Sequence, residues 1–285
     1  MGERVRRFAD LSSMTGRGDR KKVLETSNGH GGLPAVAQRQ LRRRPSAYQV
    51  APSPADDKFL AFMISASGVA RRDRVLDLAC GTGSAALAFA RHCAAVVGVD
   101  VVAEPLRRAR LEALRRKQHN AAFALSEVER LAFTAGAFTG AICRFSFHHL
   151  INPQQVFAEM ARVVAPGAWI MIVDMTAPDD PVEADRHNQM ERLCDPTHCR
   201  ALSANEFERL FAAHGFRVAM KIARDSRLTV DEWVRFGPTP PENVSQLRAM
   251  VAAELASGVS SRFSRKGDKV HMTHTSVSFV LESEA

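Results

Sequence analysis

The sequence is poor in tyrosine, tryptophan and cysteine, and it has no long apolar run. Its 285 residues include one tyrosine, two tryptophans and five cysteines. The cysteines form no C-x-x-C pair and are too few for a disulfide framework in a chain of this length. No apolar run approaches the roughly 18 residues that a membrane span requires, and no hydrophobic segment of a secretory signal follows the charged N-terminus. We therefore expect a cytoplasmic protein without a membrane span.

The positive charge of the chain is concentrated near its N-terminus. The formal net charge is +8, and residues 1–50 contribute +7 of it, with eleven Arg and Lys against four acids. Residues 51–285 are therefore nearly neutral, unlike the basic face of a nucleic-acid enzyme. We predict that residues 1–45 are a basic, disordered extension. An organelle-targeting peptide is the alternative, although such peptides are poor in acids.

Apolar runs and amphipathic segments alternate along the chain from residue 74 onward. The apolar runs predict strands and the amphipathic segments predict helices, and this alternation is typical of a parallel sheet with helices on both faces. We predict an α/β fold with a Rossmann-like, doubly wound sheet of about seven strands, mostly parallel, with an antiparallel C-terminal strand. The predicted strands are 74–79, 95–100, 121–125, 139–145, 168–174, 216–223 and 270–281. The predicted helices are 56–70, 83–93, 103–117, 153–164, 203–214 and 241–256.

One segment, residues 175–202, interrupts this alternation. It contains Pro178, Pro181 and Pro196 together with dense charge, which favours loops and short elements over a strand of the sheet. We predict that it is a substrate lid inserted into a single domain that spans residues 46–285.

The segment Asp77–Gly83, with the sequence DLACGTG, carries the most chemical information. Gly81 and Gly83 follow a predicted buried strand, where glycines let the backbone approach a ligand and a helix N-terminus face it. Asp100 ends the next strand, at the position that binds a ribose in dinucleotide-binding folds. The carboxylate of Asp77 would repel a pyrophosphate but attract a positively charged ligand. The residues thus favour S-adenosylmethionine, and NAD(P) is the alternative cofactor.

Five short motifs, which follow one another along the chain, resemble those of class I S-adenosylmethionine-dependent methyltransferases. The resemblance is strongest to the ubiquinone/menaquinone-type small-molecule branch, and it covers residues 46–223. It implies a methyltransferase that transfers a methyl group from S-adenosyl-L-methionine to oxygen or carbon of a small apolar or aromatic metabolite and releases S-adenosyl-L-homocysteine. The motifs are Asp77–Gly83, Gly98–Asp100, Glu129–Phe133, Arg144–His149 and Arg162–Gly167.

The same resemblance implies roles for individual residues. Asp77 and the backbone of the glycine turn would hold the methionine part of the cofactor, and Asp100 would accept both ribose hydroxyls. Glu127 would accept from the adenine amine, and Tyr48 lies in a segment that folds over the donor in this branch. Arg144 is either a ligand contact or a structural cation. The implied cofactor-binding residues are Asp77, Ala79, Cys80, Gly81, Thr82, Gly83, Asp100, Val101, Glu127, Val128, Arg144 and Tyr48.

His148 and His149 are the candidate catalytic residues. They end the fourth predicted strand, where ligands bind in open α/β sheets, and an imidazole can accept a proton near neutral pH. In-line methyl transfer needs no universal catalytic residue, so a packing role is the alternative. The candidate substrate contacts lie in the lid and are Asn188, Asp195 and His198. We predict no metal, because His198 and Cys199 are adjacent and cannot easily bind the same ion.

Three other functions compete with this interpretation. The first is an NAD(P)-dependent oxidoreductase; its short-chain type needs a Tyr-x-x-x-Lys pair, but no tyrosine follows Tyr48. A nucleic-acid methyltransferase would carry an Asn/Asp-Pro-Pro-aromatic motif after the fourth strand to hold a flipped base, but Phe145–His148 stands there, so we expect a small-molecule acceptor and no nucleic acid. A non-catalytic S-adenosylmethionine-binding protein stays open, and so does the oligomeric state, with a homodimer as one possibility.

Overall fold

The computed structural model describes residues 57–237, 239–258, 260 and 262–283. The predictions for the basic extension and for Tyr48 lie outside the described residues. Within these ranges, no helix is both long enough and apolar enough to cross a membrane.

The described residues form one eight-stranded sheet with helices on both faces. The strand order is β3-β2-β1-β4-β5-β8-β6, with β7 paired to β8. The strands are β1 (Arg74–Leu78), β2 (Ala95–Asp100), β3 (Ala121–Leu125), β4 (Phe138–Arg144), β5 (Val164–Met175), β6 (Phe216–Thr229), β7 (Phe263–Lys266) and β8 (Lys269–Ser283). The helices are α1 (Asp57–Ser67), α2 (Ser84–Phe89), α3 (Ala103–Arg115), α4 (Pro153–Val163), α5 (Pro181–Cys194), α6 (Ala204–Ala212), α7 (Val230–Phe236) and α8 (Pro241–Ala256), and Phe147–His149 form a 3-10 turn.

The predicted fold class is confirmed. Strands β1 to β5 pair in parallel, and β8 pairs antiparallel with its three neighbours. The structure differs from the prediction at the C-terminal end, where β6 extends to Thr229 and where α7 and β7 were not predicted. The outer half of β6 is polar and exposed, and β7 is only four residues long. Neither segment has an apolar periodicity, so only their pairing with β8 defines them.

The parallel strands are buried on both faces, and their alternating residues enter two different cores. Leu76 and Leu78 of β1 pack with α4 and α6 on one face. Val75 of β1 packs with α1, α2 and α3 on the other face. Burial at roughly 1.5–3 kcal/mol for each large apolar side chain makes these two layers the main stabilising contribution of the domain.

A third core lies beyond the carboxyl edge of the sheet, in a part of the structure that we call the cap. The cap consists of α5, α7, α8, β7 and the halves of β6 and β8 that pair with one another past the end of β5. Its buried residues include Met190, Cys194, Val230, Trp233, Leu247, Val251, Phe263 and Met272. The predicted lid segment therefore contains a helix, α5, that belongs to a packed layer rather than standing alone.

The register of β1 on β2 places two acidic residues on one face at the carboxyl edge. Asp77 is paired with Gly98, and Asp100 lies two residues further along β2 on the same face as Gly98. Gly98 cannot carry a side chain, because a Cβ there would lie 2.7 Å from Phe123 Cδ1 and 2.8 Å from Cys80 Sγ. The close approach of the strands thus fixes where the two carboxylates lie.

Candidate functional site

The glycine turn after β1 has the backbone conformation that its sequence predicts. Three residues have positive φ: Ala79 at 53°, Gly81 at 53° and Gly83 at 76°. A Cβ on Gly83 would lie 2.7 Å from Phe123 Cε1 and 2.9 Å from Ala109 Cβ. Glycine is therefore required at residue 83 both by its φ and by the close packing of the turn against β3 and α3.

Asp77 is a buried carboxyl group at the end of β1, with 2% of its surface exposed. The backbone N–H of Ala86, in α2, donates to Asp77 Oδ2 over 2.8 Å. Burial raises the pKa of Asp77 to about 7, although the Ala86 N–H and the charge of Arg144 act to lower it. A positively charged group beside Asp77 would favour its ionised form and recover part of this desolvation cost.

Asp100 is the second buried carboxyl group of the turn, with 4% of its surface exposed. The N–H of Gly81 donates to Asp100 Oδ2 over 2.8 Å, and the N–H of Val102 donates to Oδ1 over 2.9 Å. Burial raises the pKa of Asp100, against the lowering by these two hydrogen bonds. Each carboxylate oxygen has a further lone pair that can accept from a hydroxyl group, so the geometry suits a diol.

The other predicted cofactor residues surround the same edge. Glu127 follows β3 and is exposed, whereas the adjacent Val128 is buried. Arg144 ends β4 and its Nη2 donates to Ser84 Oγ over 2.9 Å, which connects β4 to the first residue of α2. The structure thus brings together at one edge the half-buried residues Ala79, Cys80, Thr82, Val101 and Arg144 with Asp77, Gly81, Gly83, Asp100 and Val128.

His148 is held by a carboxylate that the sequence analysis did not single out. Asp174, at the end of β5, is 1% exposed, and its Oδ1 lies 2.5 Å from His148 Nδ1. The same carboxylate accepts from the backbone N–H groups of Ser146, Phe147 and Met175. Burial acts to lower the pKa of His148, but the charge and hydrogen bond of Asp174 outweigh burial and raise it. Since the carboxylate can only accept, the neutral ring of His148 has its proton on Nδ1 and its lone pair on Nε2.

His149 has the opposite electrostatic environment. Its ring lies 4.0 Å from that of His148, and its Nδ1 lies 3.1 Å from both Thr197 O and Thr197 Oγ1. Burial and the neighbouring His148 lower the pKa of His149 to about 4. The two adjacent histidines therefore differ in basicity, and His148 is the better proton acceptor.

The predicted substrate residues lie in a hydrogen-bonded network under the end of α5. Asn188 Oδ1 is 2.7 Å from His198 Nε2 and accepts from Ala201 N over 2.7 Å. The Asp195 carboxylate accepts from the N–H and hydroxyl of Thr197. His198 is buried next to His148, with ring centroids 5.6 Å apart, and burial lowers its pKa to about 2. Their contact with substrate stays a prediction, and their hydrogen bonds show that they also shape the loop.

Four further polar residues lie buried or half-buried in the cap and were not found from the sequence. We call them the cap cluster: His187 and Glu191 of α5, Arg262, and His274 of β8. Glu191 Oε1 lies 2.9 Å from both Arg262 Nη2 and His274 Nε2. Only the position of Asp174, at the carboxyl end of a predicted strand, was a signal for a ligand site; the cap cluster had no such signal.

Within the described residues, no group of three or more His, Cys, Asp or Glu side chains could hold a metal ion.

Known proteins share this sequence pattern and this arrangement of strands. A model of the methyltransferase domain family matches residues 2–220. The uncharacterized methyltransferase YcgJ of Bacillus subtilis (strain 168) is 31% identical over 195 residues, which cover 68% of this chain and 76% of YcgJ. The crystal structure of YcgJ has a TM-score of 0.73 with this chain at 25% identity and covers 81% of this chain and 100% of that one.

Two further proteins match this chain at lower sequence identity. The demethylmenaquinone methyltransferase of Paenarthrobacter aurescens (strain TC1) is 25% identical over 155 residues, and the match spans 54% of this chain and 59% of that relative. Phospholethanolamine N-methyltransferase 2 of Haemonchus contortus, in complex with phosphomonomethylethanolamine and S-adenosylhomocysteine, has a TM-score of 0.60 at 14% identity. That match covers 87% of this chain and 59% of the other, and it shows a shared fold.

Proposed function

This chain belongs to the methyltransferase domain family, and we propose that it transfers the methyl group of S-adenosyl-L-methionine to oxygen or carbon of a small apolar or aromatic metabolite. One observation carries the cofactor assignment. Two buried carboxyl groups, Asp77 and Asp100, meet at a glycine turn whose backbone has positive φ. The two carboxylates accept from the backbone N–H groups of Gly81, Ala86 and Val102, and such buried acceptors suit a ligand that brings its own positive charge and a diol.

The residues fit this cofactor as follows. Asp77 would pair with the ammonium group, Asp100 would accept from the ribose hydroxyls, and Glu127 with Val128 would contact the adenine. When bound, S-adenosylmethionine supplies an electrophilic methyl group on a sulfonium. The work of the chain is to align this methyl group with the acceptor and to exclude water, since orientation supplies most of the rate in such displacements.

His148 is the residue that we propose as general base for an acceptor with an acidic hydroxyl or carbon. Asp174 would fix its tautomer, so that Nε2 would accept the proton that the acceptor loses when it takes the methyl group supplied by S-adenosylmethionine. The imidazolium that results is stabilised by the Asp174 carboxylate 2.5 Å from Nδ1. Ser146 Oγ donates to Ala79 O over 3.4 Å, which connects the histidine turn to the glycine turn.

A thermal-shift experiment tests the cofactor assignment. We expect S-adenosylmethionine and S-adenosylhomocysteine, but not NAD or NADP, to raise the Tm. A ligand at a hundred times its Kd adds about 2.7 kcal/mol, which is roughly 5–10 °C for a domain of this size. Asp100→Ala should abolish the shift, whereas the control Asp231→Ala, which removes an exposed carboxylate of α7, should retain it. Stabilisation by NAD instead would refute the assignment, and failure to detect S-adenosylhomocysteine with any acceptor would favour a non-catalytic binding protein.

A further inference from the structure

The cap cluster holds four buried nitrogen atoms without a hydrogen-bond partner among the described residues. They are Nδ1 and Nε2 of His187 and Nε and Nη1 of Arg262. His187 is 3% exposed, and the Arg262 side chain is 10% exposed. Buried polar groups are nearly always hydrogen-bonded, because an unpaired one loses its hydration without compensation. Four such atoms on two adjacent side chains indicate a place that a ligand completes.

The cap cluster already contains a carboxylate that is paired with a guanidinium and with an imidazole. The Glu191 carboxylate accepts from Arg262 Nη2 and lies 2.9 Å from His274 Nε2. Burial and the nearby Arg262 lower the pKa of His187 to about 3, so this ring is neutral. A second carboxylate placed here would be repelled by Glu191, with one guanidinium shared between them.

The unpaired atoms are mostly hydrogen-bond donors. Arg262 Nε and Nη1 can only donate, and a neutral His187 offers one N–H and one lone pair. The guanidinium also lies over two aromatic rings, 6.0 Å from the Trp233 centroid and 5.4 Å from that of Phe263. The unpaired donors of Arg262 thus lie beside two aromatic rings, which suits an uncharged oxygen in an aromatic molecule.

The cap cluster is close to the proposed base. Asn188, the residue after His187 in α5, has its Oδ1 2.7 Å from His198 Nε2. His198 stacks on the His148 ring at 5.6 Å. Asn188 and His198 thus connect the cap cluster to the proposed base.

We propose that His187 and Arg262 form an acceptor subsite that binds an uncharged carbonyl oxygen of the methyl acceptor. The subsite rests on the proposed function, because it orients the acceptor with its nucleophilic atom toward His148. The class of acceptor that it selects is a hydroxyaryl carbonyl compound, and it discriminates against the corresponding carboxylate and against the hydrocarbon.

The first test separates this role from a structural one by measuring stability. His187→Phe removes two unpaired buried nitrogens and keeps a ring of similar size. If the nitrogens serve a ligand, the variant without ligand should have a Tm about 2–4 °C higher than the wild type. The control His214→Phe, which removes a histidine whose Nδ1 lies 2.9 Å from Leu210 O, should not raise the Tm. A lower Tm for His187→Phe would contradict the subsite.

The second test measures binding by calorimetry with S-adenosylhomocysteine present at saturation. The probes are 4-hydroxyacetophenone, 4-ethylphenol and 4-hydroxybenzoate, which differ in carrying a ketone, no second oxygen or a carboxylate. We expect the wild type to bind the ketone at least about tenfold more tightly than the other two, which is ~1.4 kcal/mol. His187→Phe and Arg262→Lys should lose this preference, and the lysine keeps a positive charge beside Glu191 so that the fold is retained.

The outcomes distinguish the subsite from the proposed function. Equal binding of the three probes, no measurable binding of the ketone, or a preference that survives in both variants would overturn the subsite. The ketone titration is therefore repeated without S-adenosylhomocysteine. A wild-type protein that prefers the ketone in this titration but does not bind S-adenosylhomocysteine would contradict the proposed function and support the binding of a carbonyl oxygen by His187 and Arg262.

Discussion

Cofactor affinity should rise with pH through the titration of Asp77. In the protein without ligand, burial raises the pKa of this carboxyl group from 3.8 to about 7. In the proposed function, the ionised form would pair with the ammonium group of the cofactor. Affinity should therefore be highest above pH 7 and should fall as the pH falls through the pKa of Asp77.

The size of this effect follows from the fraction of Asp77 that is ionised. With a pKa of about 7, roughly a tenth of the molecules carry the carboxylate at pH 6 and roughly a thirtieth at pH 5.5. Because the measured affinity scales with the fraction of binding-competent protein, the Kd should increase about tenfold at pH 6 and about thirtyfold at pH 5.5 relative to its plateau.

The assay is titration calorimetry with S-adenosylhomocysteine between pH 5.5 and 7.5. Buffers of different ionisation enthalpy should show that the wild type releases a proton on binding below pH 7. Asp77→Asn has the same shape without the charge, so it should bind weakly at every pH and lack the tenfold change per pH unit. A wild-type Kd that stays constant over this range, in protein that circular dichroism shows to be folded, would refute the reasoning.

The same pKa shift has the opposite effect on stability. An unfolded Asp77 loses its proton near pH 4, whereas the folded one retains it to about pH 7. The unfolded state therefore binds fewer protons between these values, and the free energy of unfolding of the ligand-free protein decreases as the pH rises through this window. Saturating ligand should reduce this loss, because it stabilises the ionised form.

Two more substitutions test the packing and the proposed base. Gly83→Ala should lower the free energy of unfolding in urea by about 2–4 kcal/mol, because a Cβ would contact Phe123 and the φ is positive. The control Gly68→Ala, at a residue with φ of +66° and open space around it, should lower it by only about 1 kcal/mol. Equal losses in the two variants would refute the packing argument. Asp174→Asn should reduce kcat at least about 10²-fold. Because Asp174 raises the pKa of His148, this variant should also move the acidic limb of the pH–rate profile to lower pH. The control Asp225→Asn, at an exposed residue, should change neither kcat nor the profile, and an unshifted acidic limb in Asp174→Asn would exclude His148 as the base.

The parts of the molecule that the sequence predicted well are those defined by local pattern. Short apolar runs predict β1 and β2, glycines predict the turn that follows β1, and Asp100 is the last residue of β2. Their positions in the structure follow from the parallel register, in which Asp77 faces Gly98. Local rules suffice here because adjacent parallel strands end at the same edge of the sheet.

The parts that sequence reasoning missed depend on contacts between distant segments. Glu191 and His274 are 83 residues apart and meet only because β8 runs antiparallel past the end of β5. Asp174 ends a strand that was predicted, but the sequence has no feature that assigns its carboxylate to His148 rather than to a backbone turn. The role of a buried polar side chain is inferred from its hydrogen-bond partners. When those partners are far apart in the sequence, the strand topology decides which of them meet.

Buried polar groups are usually paired, and two parts of the site contain buried polar groups that a bound ligand would pair. The donor end buries two carboxyl groups whose pKa values are raised, and the cap buries nitrogen atoms with no partner in the described residues. In the proposed reaction, S-adenosylmethionine would supply a methyl group from a positively charged sulfonium. His148, as the proposed base, would hold the proton from the acceptor and so keep one positive charge next to the Asp174 carboxylate, 2.5 Å from His148 Nδ1. With an uncharged acceptor, the net charge around these buried groups would therefore be the same before and after methyl transfer.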